Sequence, residues 1–207
     1  MGNIWFIEKY FLELHKVIKD IPKDDIDKAI NILFEAWKND KKIYTMGNGG
    51  SASTAAHFAS DLVKTIVSEP GGRGIRALTP WDNIPLVSAS LNDRPREDLF
   101  VVWLDTFYEA RGVGIGISVH GGSGSDLGGR WSENLLRGIQ YIKDRGGWTI
   151  GFSGFDGGPL ADLADVCITV PVPEPSLGTP LVESLHVAIH HLIVFYLKNL
   201  IKEGGLG

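Results

Sequence analysis

Residues 42–58, KIYTMGNGGSASTAAHF, change their period in the middle. The first six alternate like a short β-strand, and the last eight or so read as a helix. Between them stand Gly47, Asn48, Gly49 and Gly50, followed by Ser51 and Ser53. In a doubly wound sheet such a strand–turn–helix lies at the carboxyl end of the strand, where ligands bind. Glycine lets the backbone approach a ligand closely, and a helix N-terminus offers free N–H groups and a positive dipole end. A tight turn with a serine cap would explain Ser51 alone. It leaves Asn48, the three glycines and the second serine unexplained, so the stretch reads as an anion site. It is neither a Gly-x-Gly-x-x-Gly fingerprint nor a Walker loop, because no Gly-Lys-Ser/Thr follows.

Outward from this turn, short β runs alternate with helical patterns. The strand candidates are 42–47, 74–79, 113–119, 148–154 and 166–172. The helix candidates are 51–66, 84–91, 95–110, 131–145, 157–164 and a long last one at 179–202. Strands alternating with helices predict an α/β fold with a parallel sheet covered on both faces. Two amphipathic helices precede them, at 5–21 and 22–40. The first carries Trp5, Phe6, Tyr10 and Phe11, more apolar surface than one domain edge needs, so these two helices are expected to form an oligomer interface. Neither an internal repeat nor a linker interrupts the chain, and one domain over 1–207 is expected.

Composition narrows the partners. Hydrophobic residues make up 43% and charged ones 22%, the balance of a globular protein. A formal charge of −5 argues against nucleic acid or an anionic membrane as the main partner. A single cysteine, Cys167, excludes an internal disulfide and suits a reducing compartment. No apolar run approaches the ~20 residues of a spanning helix. The opening MGNIWFIEKY has no cleavage pattern and no Ser/Thr at position 6 for myristoylation. A cytoplasmic domain is expected.

His57 and Asp61 follow the turn at i, i+4, on one helix face, where an imidazole and a carboxylate can share a ligand. Alone, that pair is more often a surface ion pair; beside an anion-binding turn it reads as a functional centre suited to zinc or another divalent ion.

The sequence resembles the sugar isomerase (SIS) domain family, and within it the phosphoheptose isomerases. The likeness rests on GNGGSA (47–52), HFASDL (57–62), SLNDRPREDLF (90–100), DGGPLADLADVCITVP (156–171) and TPLVESLHVAIHHLI (179–193), in that order over nearly the whole chain. It implies a five-stranded parallel SIS sheet and a homotetramer with active sites between subunits. It also implies isomerisation of a phosphorylated sugar, sedoheptulose 7-phosphate the leading candidate, between aldose and ketose through an enediol. Asp61 and His191 match the acid–base pair. His57, Asp61, Glu183 and His191 match the cluster that binds zinc in some members. Asn48, Gly49, Gly50, Ser51, Asn92, Asp93, Ser118 and Ser123 match substrate-binding positions. Related SIS proteins act without catalysis, as sugar-phosphate sensors or as partners of a replication initiator. Because all four cluster positions keep ionisable side chains here, an enzyme is expected.

The chain departs from the family pattern at several places. The family usually has Glu at the position of Asp61 and Gln at that of Glu183. Its second phosphate loop is replaced by SVHGGSGSDLGGRWSEN (118–134), about six residues longer. The insertion reads either as a lid that carries Arg130 to an anion or as a surface loop only, and His120 stands in place of a hydroxyl. Glu183 and His191 lie eight residues apart, a rise of about 12 Å along a helix. Either both side chains stretch toward one point or they come from different subunits. His186 and His190 lie nearer Glu183 in angle but are read as packed or interface histidines.

Overall fold

The computed structural model describes residues 3–67, 72–122, 131–173 and 175–204. Among these, five parallel strands form one sheet in the order β2-β1-β3-β4-β5, with β1 at Ile43–Gly47, β2 at Ala77–Leu78, β3 at Val113–Ile117, β4 at Trp148–Gly154 and β5 at Val166–Val170. The helices are α1 (Ile4–Asp20), α2 (Lys23–Lys38), α3 (Gly50–Lys64), α4 (Ile84–Asp93), α5 (Leu99–Phe107), α6 (Glu133–Asp144), α7 (Gly158–Leu163) and α8 (Gly178–Gly204). This is the five-stranded α/β sandwich that the alternating pattern predicts.

Strand alternation sorts the core onto the two faces. Ile43 and Thr45 of β1 point toward α2, α3 and α8, where Thr45 Oγ1 donates to the Ala55 carbonyl at 2.9 Å. Tyr44 and Met46 point the other way, onto Phe100 and Trp103 of α5 and Leu135, Ile139 and Ile142 of α6. All five residues of β1 and of β3 are buried, as in a strand covered on both sides. Gly114 and Gly116 of β3 leave room for Ile142 and Ile139, which lets α6 lie close to the sheet.

Two elements differ from the sequence reading. The strand expected at 74–79 shrinks to Ala77–Leu78, because only Ile43 and Tyr44 of β1 pair with it at this sheet edge. The helix expected at 95–110 starts only after Pro95, whose ψ of 135° is extended, and divides into a 3₁₀ turn at Arg96–Asp98 and α5.

The expectation that no apolar run approaches a spanning helix is corrected by the last helix. α8 slightly exceeds the expected 179–202 at both ends. An 18-residue window within Pro175–Glu203 reaches a mean hydropathy of 1.4, enough in length and composition to cross a membrane. Half of that window is buried inside the protein, where Leu181, Val182, Leu185, Ile189, Ile193, Val194 and Leu197 pack beside α2 and α3. Its apolar character is that of a core helix.

Candidate active site

The turn after β1 has no room for side chains. A Cβ on Gly47 would stand 2.5 Å from the Ser51 carbonyl oxygen and 3.1 Å from that of Ile117. Gly49 takes a left-handed φ of 58°, where glycine carries no steric penalty, and it is the residue that caps α3. Ser51 is therefore inside the first turn and buried rather than at the cap position. Trp81 Nε1 donates to the Gly47 carbonyl at 3.0 Å and ties the end of β1 to the neighbouring segment.

Around this turn lies a cavity of about 330 Å³. Asn48, Gly49, Gly50, Ser51 and Ser118 line it, five of the eight positions that the resemblance assigns to substrate. His120, Trp131, Ser132, Thr179 and Glu183 complete much of the wall, none of them assigned to substrate from the sequence. Ser53 is exposed and takes no part. Ser118 is buried and its Oγ accepts the Gly122 N–H at 3.3 Å. Asn92 and Asp93 end α4 at the surface, bonded to each other at 2.7 Å, and do not line the cavity. Ser123 and Arg130 lie outside the described residues.

Farther along α3 comes the ionisable cluster. Gly50 faces Glu183 and His57 faces His191, so α3 and α8 run side by side in the same sense. Asp61 Oδ2 lies 3.4 Å from His57 Nε2, 3.4 Å from His190 Nε2 and 3.7 Å from His191 Nε2. His57 Nε2 and His191 Nε2 are 3.4 Å apart. One donor atom from each of these four residues falls within 4.8 Å of all the others. His57 and His191 are half-exposed, whereas His190 is fully buried with its ring stacked on Phe58.

Thus His57, Asp61 and His191 come together as expected, and Glu183 does not join them. Its carboxylate stands against Gly50, where an added Cβ would be 2.5 Å from Oε1 and 2.8 Å from Oε2. The two turns of helix between Glu183 and His191 separate them within one chain, and His190 takes the fourth place. The reading of His190 as a packed residue holds for its burial but misses its partner. The signal was available: residue 190 is seven after 183, nearly the same angle on a helix.

Burial sets the charge of the two enclosed histidines. It pushes His190 down to about 4, helped by the neighbouring His191 and His57 and opposed by Asp61. Nδ1 of His190 has no hydrogen-bond partner among the described residues, and Nε2 stands 3.4 Å from Asp61 Oδ2. Burial likewise pushes His186 down to about 4, opposed by its contact with the Ser153 carbonyl, 3.0 Å from Nε2. His190 is thus a neutral imidazole, the form that binds a metal.

Comparison with known proteins shows the family. The SIS domain pattern matches residues 8–94. A phosphoheptose isomerase of Nitratiruptor sp. is 36% identical over 190 residues, 90% of this chain and 94% of that one. The chain belongs to the phosphoheptose isomerase family of SIS proteins. The lincomycin biosynthesis protein LmbN of Streptomyces lincolnensis is 40% identical over 179 residues, 86% of this chain. The aligned region spans only 63% of LmbN's length. In structure, the phosphoheptose isomerase of Neisseria gonorrhoeae superposes with a TM-score of 0.81 over 96% of this chain and 100% of its own, at 22% identity. That likeness shows the family's fold.

Proposed function

We propose that this SIS-family protein isomerises a phosphorylated sugar between ketose and aldose, with sedoheptulose 7-phosphate as the leading substrate. The observation that carries the reading is the run from an anion cavity at the glycine turn to a cluster of one carboxylate and three imidazoles along the same pair of helices. The first turn of α3, with Ser51, and the Ser118 loop take the phosphate, through N–H groups, hydroxyls and the helix dipole. From Gly50 to His57 the helix rises roughly 10 Å, which suits a long open-chain sugar phosphate lying along α3 and α8.

Moving the carbonyl by one carbon requires a base for the intervening C–H and an acid for the oxygens. Asp61 and Glu183 are the two carboxylates placed along this path, and His191 is a half-exposed imidazole beside Asp61. The donor set also suits a divalent ion, zinc above all: three imidazoles and a carboxylate, one imidazole buried with its Nδ1 unpartnered among the described residues. His57, Asp61, His190 and His191 would hold it. Such an ion, when bound, adds positive charge that favours oxyanion character nearby. A homotetramer in the cytoplasm belongs to the same reading, supported by the exposed apolar faces of α1 and α8.

The test is a screen of five- to seven-carbon ketose phosphates for conversion to aldose, with and without added divalent ions. Conversion of a seven-carbon ketose phosphate is expected. If purified protein converts no sugar phosphate under any metal condition, the proposal fails.

A further inference from the structure

The cavity at the glycine turn carries a negative charge of its own. Glu183 lines it and sets its carboxylate against Gly50, in the first turn of α3. A carboxylate there repels a phosphate at the turn. The hydroxyls of Ser51, Ser118, Ser132 and Thr179 line the same space and supply only neutral donors. Among the described residues that line the cavity none is Lys or Arg, and the one side chain able to carry positive charge is His120. Glu183 stands where the family pattern has an amide and His120 where it has a hydroxyl, so the two departures have opposite sign.

His120 is held from two directions. Its loop packs on the turn that follows β4: the Leu160 N–H donates to the Gly121 carbonyl at 2.7 Å, and a Cβ on Gly158 would run into the His120 carbonyl. Its ring lies flat on Phe155, with centroids 4.7 Å apart and planes 7° from parallel. Phe155 has a φ of 57°. A left-handed backbone is an outlier for so bulky a residue, and it persists only where the surroundings over-determine it. Here they do. The Phe155 N–H donates to the Val170 carbonyl at 3.1 Å, and the Gly154 N–H just before it donates to the Val119 carbonyl at 2.9 Å. The ring of Phe155 fills the space that a side chain on Gly178, at the start of α8, would need. The strained turn thus sets one flat ring against one imidazole at the cavity wall.

We propose that His120 is the specificity-determining cation of the anion site, offsetting the Glu183 carboxylate, and that Phe155 is its positioning residue. The proposal rests on the phosphate reading of the glycine turn above. An imidazole offers an N–H donor when neutral and a full positive charge when protonated. A charge-assisted hydrogen bond to phosphate is about twice as strong as one from a neutral donor. The ligand class so selected is a phosphate monoester. An uncharged sugar meets the same hydroxyls and amides but gains nothing from the cation.

The test is calorimetry on the full-length protein with inorganic phosphate and with sedoheptulose 7-phosphate, and with unphosphorylated sedoheptulose as the control. His120→Ala should weaken binding of both phosphates at least tenfold, the share of a hydrogen bond to a charged group, and leave the control unchanged. Phe155→Asn puts a residue that tolerates the left-handed region into the turn, so it should fold. It should weaken phosphate binding roughly fivefold, whereas Phe155→Tyr should keep the wild-type affinity. In the His120→Ala background, Phe155→Asn should cost nothing more, and Glu183→Gln should recover part of the lost affinity. Wild-type phosphate affinity in His120→Ala would overturn the proposal. Additive losses from His120→Ala and Phe155→Asn would make Phe155 a packing residue only, and no recovery with Glu183→Gln would refute the charge balance. A wild type that binds neither inorganic phosphate nor sedoheptulose 7-phosphate would instead sink the phosphate reading of the turn itself.

Discussion

Asn48 and Asn134 exchange two amide hydrogen bonds, Asn48 Nδ2 to Asn134 Oδ1 at 2.9 Å and Asn134 Nδ2 to Asn48 Oδ1 at 3.1 Å. The pair locks the glycine turn after β1 to the first turn of α6, 86 residues away in sequence. Asn48 is thereby a positioning residue of the cavity wall as well as part of its lining. Asn134→Ala should destabilise the fold by about 1 kcal/mol, since it leaves the part-buried Asn48 amide with only its 3.4 Å bond to Ser132 Oγ. It should also raise KM for the sugar phosphate more than it lowers kcat. Thermal unfolding and steady-state kinetics on the same preparation check both; an unchanged KM would show that the turn keeps its shape without this tie.

Ser51 lies inside the first turn of α3, and Gly49 occupies the cap position. Ser51→Ala should therefore cost less stability than the ~1 kcal/mol of a lost serine cap. Its effect should fall on phosphate recognition, seen as weaker binding of the sugar phosphate by calorimetry. Unchanged affinity in a folded variant would remove Ser51 from the anion site.

His186 gives the protein a specific acid sensitivity. Burial lowers its folded-state pKa from 6.5 to about 4, so the unfolded chain binds this proton more readily than the folded one. The stability tied to its neutral form is complete above pH 6.5 and is lost as pH falls toward 4, on the order of 1 kcal/mol per pH unit. Denaturant unfolding of His186→Phe between pH 7 and pH 4 should show a shallower acid-side slope than the wild type. Equal slopes would mean that other groups govern the acid transition.

The first helix presents Trp5, Phe6, Phe11 and Leu12 to the surface, and α8 adds Leu192, Phe195 and Tyr196. Faces this apolar are covered in stable proteins. Removing residues 1–20, or replacing Phe195 with Glu, should reduce the oligomer or cause aggregation. Light scattering after gel filtration reads the mass directly; full-length mass in both variants would exclude these faces from the interface.

The architecture was legible wherever a strand or helix carries its own periodicity. The run at 42–58 shows the change from one to the other, and β1 and α3 follow it within a residue or two. Two boundaries escaped that reading. The length of β2 depends on how many residues of β1 remain free to pair at the sheet edge. The stretch before α5 opens at the extended backbone of Pro95 and takes a 3₁₀ turn, whose tighter hydrogen bonding the helical period does not show.

The candidate site was legible in its residue types and only partly in its grouping. His57 and Asp61 share a helix, and their i, i+4 spacing alone brings them together. Ser132 and Thr179 have no local signature, since one reaches the cavity from the start of α6 and the other from the start of α8.

The sequence by itself determined the parallel α/β sheet, the anion-binding turn and the pairing of His57 with Asp61, because each depends on neighbours a few residues apart. Tertiary structure decided which residues of α8 meet that pair. The register between α3 and α8 is set by their packing on the sheet, through Phe58, Leu62, Leu185 and Ile189. That register sets Glu183 against Gly50 and brings His190 with His191 to Asp61. A side chain's partner across two helices is fixed by how those helices pack, and no spacing within either one encodes it.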